Sequence, residues 1–139
     1  MKTAWMSCLL ALLMTLPLRA EQMKTLGPWR VHYNAFNASF LTPEVAKAYG
    51  LERSRYNAII NIAVQDTQGK AQSVAITGEA KNLTGTLRIL DFKEVREGEA
   101  IYYLATLPYR NEDTYQFTLK IMGGGQQQIL AFQQTFYVD

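Results

Sequence analysis

Cysteine and histidine are almost missing from this chain, and each absence removes a class of chemistry. The 139 residues include one cysteine, Cys8, and one histidine, His32. Cys8 lies in an N-terminal segment that is expected to be removed, so the mature chain has no cysteine for a Cys–His nucleophilic site. Metal centres built from several such side chains lack their residues as well. No G-x-S-x-G motif marks an exposed nucleophilic serine. We predict a protein that is not an enzyme and that binds no metal and no cofactor.

Long apolar runs are also missing, apart from one at the N-terminus. Lys2 precedes an almost wholly apolar stretch over residues 4–16, and a small residue, Ala20, follows it. The run is too short to span a membrane comfortably, and the layout is typical of a secretory signal peptide. We expect residues 1–20 to be cleaved and residues 21–139 to form a periplasmic domain without a membrane span. An anchor kept uncleaved is the alternative.

Neither sign of charge is in excess once this segment is removed. Lys2 and Arg19 are two of the 14 basic side chains, and the segment holds none of the 12 acidic ones. A chain without clustered basic charge is a poor ligand for phosphate backbones, so nucleic acid is not an expected partner. Cys8 also leaves with the segment, and the mature domain must rest on its hydrophobic core.

The remaining sequence consists of short runs with strand character, separated by turn signals. Seven such runs lie at residues 29–40, 58–64, 73–80, 83–95, 101–107, 114–122 and 128–138. Seven strands in about 110 residues predict an all-β fold, a single immunoglobulin-like β-sandwich. Gly123, Gly124 and Gly125 lie between the last two runs and predict a hairpin.

The first run changes the face on which its apolar side chains recur. Trp29 and Tyr33 stand at odd positions, whereas Phe36 and Phe40 stand at even ones. A bulge or kink near Asn34 would keep all of them on the core side of the sheet. We therefore predict a kinked first strand.

A short helix is predicted immediately after that strand. Thr42 suits the N-cap, Pro43 the first helical position and Gly50 the C-terminal end. Residues 87–92 and 101–107 carry apolar side chains on both faces, which must be covered on both sides. We expect the segment around the helix to act as a lid over Leu90, Phe92, Tyr102 and Leu104.

Phe40 is the predicted structural residue of this lid. Phe36 and Tyr49 are expected at its rim, and a lid that is only half seated would leave apolar surface open. The candidate contacts with a partner protein are then Phe36, Tyr49 and Tyr102. A second protein chain that covers the strands in place of the helix is the alternative.

Tyr115 is a candidate tyrosine corner. It stands at the start of the sixth run, two residues before the apolar Phe117 and after the loop 109–112. Sandwiches of this type place there a tyrosine whose hydroxyl bonds to upstream backbone. The simpler interpretation is an alternating strand aromatic beside Phe117 and Leu119.

Three segments carry a resemblance to a known family: YNAFNASFLTPEVAKAYG at residues 33–50, RSRYNAIINIAVQ at 53–65 and YQFTLKI at 115–121. Together with the signal layout, they are similar to a family of small exported proteins of Gram-negative bacteria known only as a domain of unknown function. The resemblance covers the whole mature chain. It implies a periplasmic location and a sandwich-like β fold, and it brings no catalytic residues.

Three classes of function remain. The first is a non-catalytic accessory factor of the envelope that binds another protein, since small sandwiches commonly present loops or edges to partners. The second is a carbohydrate-binding module that uses Tyr49, Tyr56, Tyr102 and Tyr109 as stacking rings. The third is an unrecognised periplasmic hydrolase, because two carboxylates need only be close in space. The sequence does not indicate an oligomeric state.

Overall fold

The computed structural model describes residues 22–138, and the predicted signal peptide lies outside the described residues. In chain order the strands are β1 (Gln22–Leu26), β2 (Trp29–Asn37), β3 (Asn57–Gln65), β4 (Ala75–Asn82), β5 (Leu87–Leu90), β6 (Lys93–Glu97), β7 (Ala100–Pro108), β8 (Asp113–Gly123) and β9 (Gln126–Phe136). A 3₁₀ turn (Ala38–Phe40) and one helix, α1 (Pro43–Ala48), lie between β2 and β3. None of the described helices is long and apolar enough to cross a membrane.

The strands form two antiparallel sheets that pack face to face. The five-stranded sheet has the order β1-β2-β3-β7-β6, and the four-stranded sheet has the order β5-β4-β8-β9. Alternate side chains of both sheets meet in the main core, where Ile60, Ile62, Phe117 and Leu119 are fully buried. The predicted all-β sandwich with a short helix after its first long strand is confirmed.

A second, smaller apolar cluster lies on the outer face of the five-stranded sheet, beneath α1. It joins Val45 and Ala46 of the helix to Phe36, Ile59 and Leu104 of three different strands. The prediction that the helix covers the second face of the 101–107 strand is therefore confirmed for Leu104. Leu90 and Phe92 instead belong to the main core between the sheets, so the lid does not reach them.

The predicted kink in β2 is wrong. Pairing between β2 and β3 runs without interruption from Arg30 opposite Gln65 to Asn37 opposite Ala58, and no residue bulges out. The apolar side chains change face because β2 is covered on both sides. Trp29 and Tyr33 face the main core, whereas Phe36 faces the cluster beneath α1.

The described residues form nine strands where the sequence predicts seven. β1 was not expected, and the run 83–95 divides into β5 and β6, which belong to different sheets. In β5, Leu87 and Ile89 are exposed, so the expectation of apolar cover on both faces of this run is wrong. The β8–β9 hairpin is as predicted, and Gly124 and Gly125 both have positive φ in its turn.

Candidate partner-binding pole

The loops at one end of the sandwich concentrate exposed apolar side chains. This end gathers the connection between β2 and β3, the β4–β5 turn, the β7–β8 loop and the C-terminus after β9, as the strand registers require. Among the described residues eight large apolar side chains are exposed, and four lie here: Phe40 (60%), Tyr56 (53%), Leu83 (81%) and Tyr137 (58%). We call these four residues the aromatic pole.

The opposite end of the sandwich has a different composition. Its turns hold Gly27, Gly69, Gly98, Gly124 and Gly125, all with positive φ. None of the eight exposed large apolar side chains of the described region lies in these turns. We call this end the glycine pole. The two ends therefore differ in exposed apolar surface, although both consist of loops.

Hydrogen bonds fix the backbone around the aromatic pole. Asn37 accepts from the Ser39 amide at 2.8 Å and donates to the Arg55 carbonyl at 2.9 Å, and its Nδ2 also donates to the Tyr109 hydroxyl. That hydroxyl donates in turn to the Tyr137 carbonyl at 3.2 Å. The Tyr109 amide donates to the Tyr56 carbonyl at 2.9 Å. Buried Tyr109 thus joins three segments that carry the exposed rings.

A second set of bonds connects the remaining segments. Asp113 accepts from the Asn82 side chain and from the Arg110 amide, both at 3.1 Å. The Val138 amide donates to Asn111 Oδ1 at 2.8 Å. Glu112 has a φ of 59°, and it is the one non-glycine residue of the described range in the left-handed region. Non-glycine residues in this region of backbone conformation cluster at functional sites of proteins.

Arginine stands beside the exposed rings. The Arg55 guanidinium lies 5.3 Å from the centroid of the Tyr56 ring, and its Nη2 donates to the Tyr56 hydroxyl at 3.3 Å. Arg53 donates to the Leu41 carbonyl at 2.7 Å, which holds the 51–56 loop against the turn that carries Phe40. The pole therefore combines rigid aromatic rings, arginine and fixed loops.

Phe40 and Phe36 have exchanged their predicted roles. Phe40 is exposed, so the expectation that it is the buried structural residue of the lid is wrong. The 3₁₀ turn at Ala38–Phe40 changes the side-chain period, and Ala38 and Leu41 point into the core on either side of Phe40. Phe36 is buried in the cluster beneath α1, so it is not an accessible contact for a partner.

Tyr49 and Tyr102 lie together at the edge of this cluster, half-buried. The Tyr49 hydroxyl donates to Glu97 Oε2 at 2.6 Å, and Glu97 is buried. Burial, followed by the hydrogen bond to Glu97, raises the pKa of Tyr49 well above its ordinary value. Tyr49 therefore fastens the C-terminal end of α1 to the edge strand β6.

Tyr115 is fully buried at the start of β8. Its hydroxyl lies 3.5 Å from the Pro108 carbonyl, seven residues upstream, which is the outer limit for a hydrogen bond. This is the geometry of a tyrosine corner, with a long bond. It sits directly beneath the 109–112 loop of the aromatic pole.

His32 is half-buried on the outer face of the five-stranded sheet, towards the glycine pole. Its Nε2 lies 2.9 Å from Gln65 Oε1, and a shallow pocket beside it is lined by Ala63, Ala100 and Tyr102. Within residues 22–138 no three side chains among His, Cys, Asp and Glu lie close enough together to hold a metal ion.

Comparison with known proteins gives the family. The model of the domain of unknown function DUF4426 matches residues 23–139. The chain belongs to this family. A crystal structure of a DUF4426 family protein from Pseudomonas aeruginosa PAO1 is 42% identical, with a TM-score of 0.78 over 86% of this chain and 96% of that one. The predicted family of unknown function is therefore confirmed.

A more distant structure shares the fold alone. FetP of uropathogenic Escherichia coli strain F11, which was expressed recombinantly in the periplasm of a laboratory E. coli strain, is 10% identical. It superposes with a TM-score of 0.61 over 84% of this chain and 93% of its own. Comparison with curated proteins finds no match.

Proposed function

We propose that the chain is an exported, non-catalytic protein of the bacterial envelope that binds another protein through the aromatic pole. One observation carries this proposal: within residues 22–138, four large apolar side chains are exposed at one end of the sandwich and none in the turns at the other. Exposed apolar groups that cluster beyond the usual scatter mark interaction sites. The signal layout of residues 1–20 supports export.

The composition of the pole favours a protein as the partner. Tyrosine and arginine are the residues that most often dominate binding energy in protein interfaces, and Tyr56, Tyr137 and Arg55 are all exposed here. Rigid rings on loops that are already hydrogen-bonded lose little conformational freedom when a partner binds. The pole is thus preorganised in the way that binding loops of antibody domains are.

A sugar is the second candidate ligand, because exposed tyrosine rings also stack on carbohydrate. Of the four rings proposed from the sequence, only Tyr56 is exposed; Tyr109 is buried, and Tyr49 and Tyr102 are half-buried. The aromatic pole would therefore also be the place for a sugar, with Tyr137 as a second ring. Identification of the molecule that binds at the aromatic pole, a protein or a sugar, decides between the two functions.

A crosslinking pull-down of the mature protein from its own periplasm tests the proposal. The double variant Tyr56→Ala, Tyr137→Ala removes both exposed tyrosine rings of the pole, and we expect it to recover the partner at least about tenfold less well than the parent. Ile129→Ala is the matched control, since Ile129 is an exposed apolar side chain outside the pole. Equal recovery by both variants would contradict the proposal, and capture of glycan without protein would favour the second candidate.

A further inference from the structure

The free edge of β5 differs from the other sheet edges. β6, the edge of the opposite sheet on the same side, carries exposed Lys93, Glu94 and Arg96, which discourage pairing with another strand. On the far side Lys24 of β1 donates to the Ala131 carbonyl of β9 at 2.6 Å, so those two edges are tied to each other. Among the strands of residues 22–138, β5 has β4 as its one neighbour, and it exposes Leu87 and Ile89.

The side chains of β5 alternate between the core and the outer face of the sheet. Leu90 packs in the main core, so Leu87 and Ile89 stand on the outer face or its border, opposite Lys81 and Glu79 of β4. Charged side chains are also ordered along the strand, with opposite signs at its two ends. On the outer face the end near Leu87 is basic, with Lys81, and the end near Ile89 is acidic, with Glu79 and Asp91. Arg88 stands between Leu87 and Ile89 on the other face, opposite Ala80.

This order is complementary to itself. When two copies of the edge lie antiparallel, the basic end of each meets the acidic end of the other, and the aliphatic side chains of both lie together on one face. The unpaired backbone groups of each edge also gain hydrogen-bond partners. An unrelated partner strand would need a matching pattern of its own, whereas a second copy already has it.

We propose that β5 pairs antiparallel with β5 of a second copy about a two-fold axis. The two four-stranded sheets then form one continuous sheet of eight strands in the order β9-β8-β4-β5 followed by β5-β4-β8-β9. The aromatic poles of the two copies point in opposite directions, because the paired strands do. Such a dimer presents two separate partner sites. The proposal is independent of what binds at the poles.

The absence of cysteine from residues 21–139 allows a direct test. A purified Ile89→Cys variant is treated with a short bis-maleimide that reaches only directly opposite or diagonal positions, within about 8 Å across an antiparallel pair. We expect a covalent dimer. Ile129→Cys is the control, because Ile129 is exposed on β9, far from β5. An Ile89→Cys protein that stays monomeric, or equal crosslinking of both variants, would overturn the proposal.

Charge reversal separates specific pairing from general adhesion. Lys81→Glu places acidic groups together at both ends of the paired strands. We expect the dimer to weaken by about tenfold, because in a two-fold dimer each substitution occurs twice. Adding Asp91→Arg to the same chain restores the opposite signs and should restore the affinity. Sedimentation equilibrium measures both. A parent that is monomeric at every concentration, or a Lys81→Glu variant that dimerises as tightly as the parent, would show that the proposal is wrong.

Discussion

Phe36 and Phe40 lie four residues apart and yet occupy opposite environments. Phe36 is buried beneath α1, whereas Phe40 is exposed at the aromatic pole. Phe36→Ala should therefore reduce the free energy of unfolding by about 3–5 kcal/mol, as truncation of a core aromatic does. Phe40→Ala should change it by less than about 0.5 kcal/mol, as surface changes do. Denaturant melts of the two variants measure both values, and equal losses would contradict the assigned environments.

Tyr115→Phe tests the tyrosine corner. The variant keeps the buried ring and removes only the hydroxyl that points to the Pro108 carbonyl. Because this bond is 3.5 Å long, we expect a loss of about 1 kcal/mol, near the middle of the range for one intramolecular hydrogen bond. A thermal or denaturant melt gives the value. A variant as stable as the parent would show that Tyr115 acts as an ordinary core ring.

Tyr49 and Glu97 fasten the α1 segment to β6. Glu97 Oε1 has no hydrogen-bond partner among the described residues, so the Tyr49 hydroxyl on Oε2 is the bond that compensates its burial. Tyr49→Phe should reduce the free energy of unfolding at neutral pH by about 1–3 kcal/mol. Tyr137→Phe, which removes the hydroxyl of an exposed ring, is the control and should change little.

The hydrogen bond between Tyr49 and Glu97 also makes the free energy of unfolding depend on pH. The pKa of Tyr49 is raised above its ordinary value of 10.0 in the folded protein. The stabilising effect of the protonated hydroxyl is therefore complete below about pH 10, and it is lost as the pH rises from there towards the folded-state pKa. The stability difference between the parent and Tyr49→Phe should therefore stay unchanged from about pH 8 to about pH 10 and narrow from about pH 10 to about pH 12. Urea melts across this range measure it. A difference that stays constant would contradict the role of the protonated hydroxyl.

At the scale of elements, the long strands and the helix are predictable because their signals are local. Thr42 accepts from the Val45 amide and Pro43 begins α1, as the capping pattern predicts. The β8–β9 hairpin follows equally from its glycines. Burial on both faces of β2 was not predictable from β2 alone. The change of its apolar residues from odd to even positions fits a bulge, and it fits equally a regular strand that packs against a different apolar cluster on each face.

The missed elements lack local signals. β1 has the sequence QMKTL, which is mostly polar and almost entirely exposed, and it is a strand because it pairs with β2. The chain leaves one sheet for the other at Asp91 and Phe92, where neither glycine nor proline marks the change. Tyr56 was a candidate ring from the sequence. Its neighbours at the pole were not predictable, because the pole assembles from four segments that are distant in the chain.

At the scale of the whole molecule, export is the first prediction. The layout of residues 1–20 predicts cleavage after Ala20 and a mature chain that begins at Glu21. Intact-mass measurement of protein from the periplasmic fraction should give the mass of residues 21–139. Full-length protein in the membrane fraction would instead show that the segment is retained as an anchor.

The difference between the two ends of the sandwich is the central claim. A photo-crosslinking amino acid placed at Tyr56 of the aromatic pole, and separately at exposed Thr67 of the opposite end, tests it in living cells. We predict a discrete protein adduct, identifiable by mass spectrometry, from position 56 and none from position 67. The same adduct from both positions, or one from position 67 alone, would contradict the assignment of the aromatic pole as the binding surface.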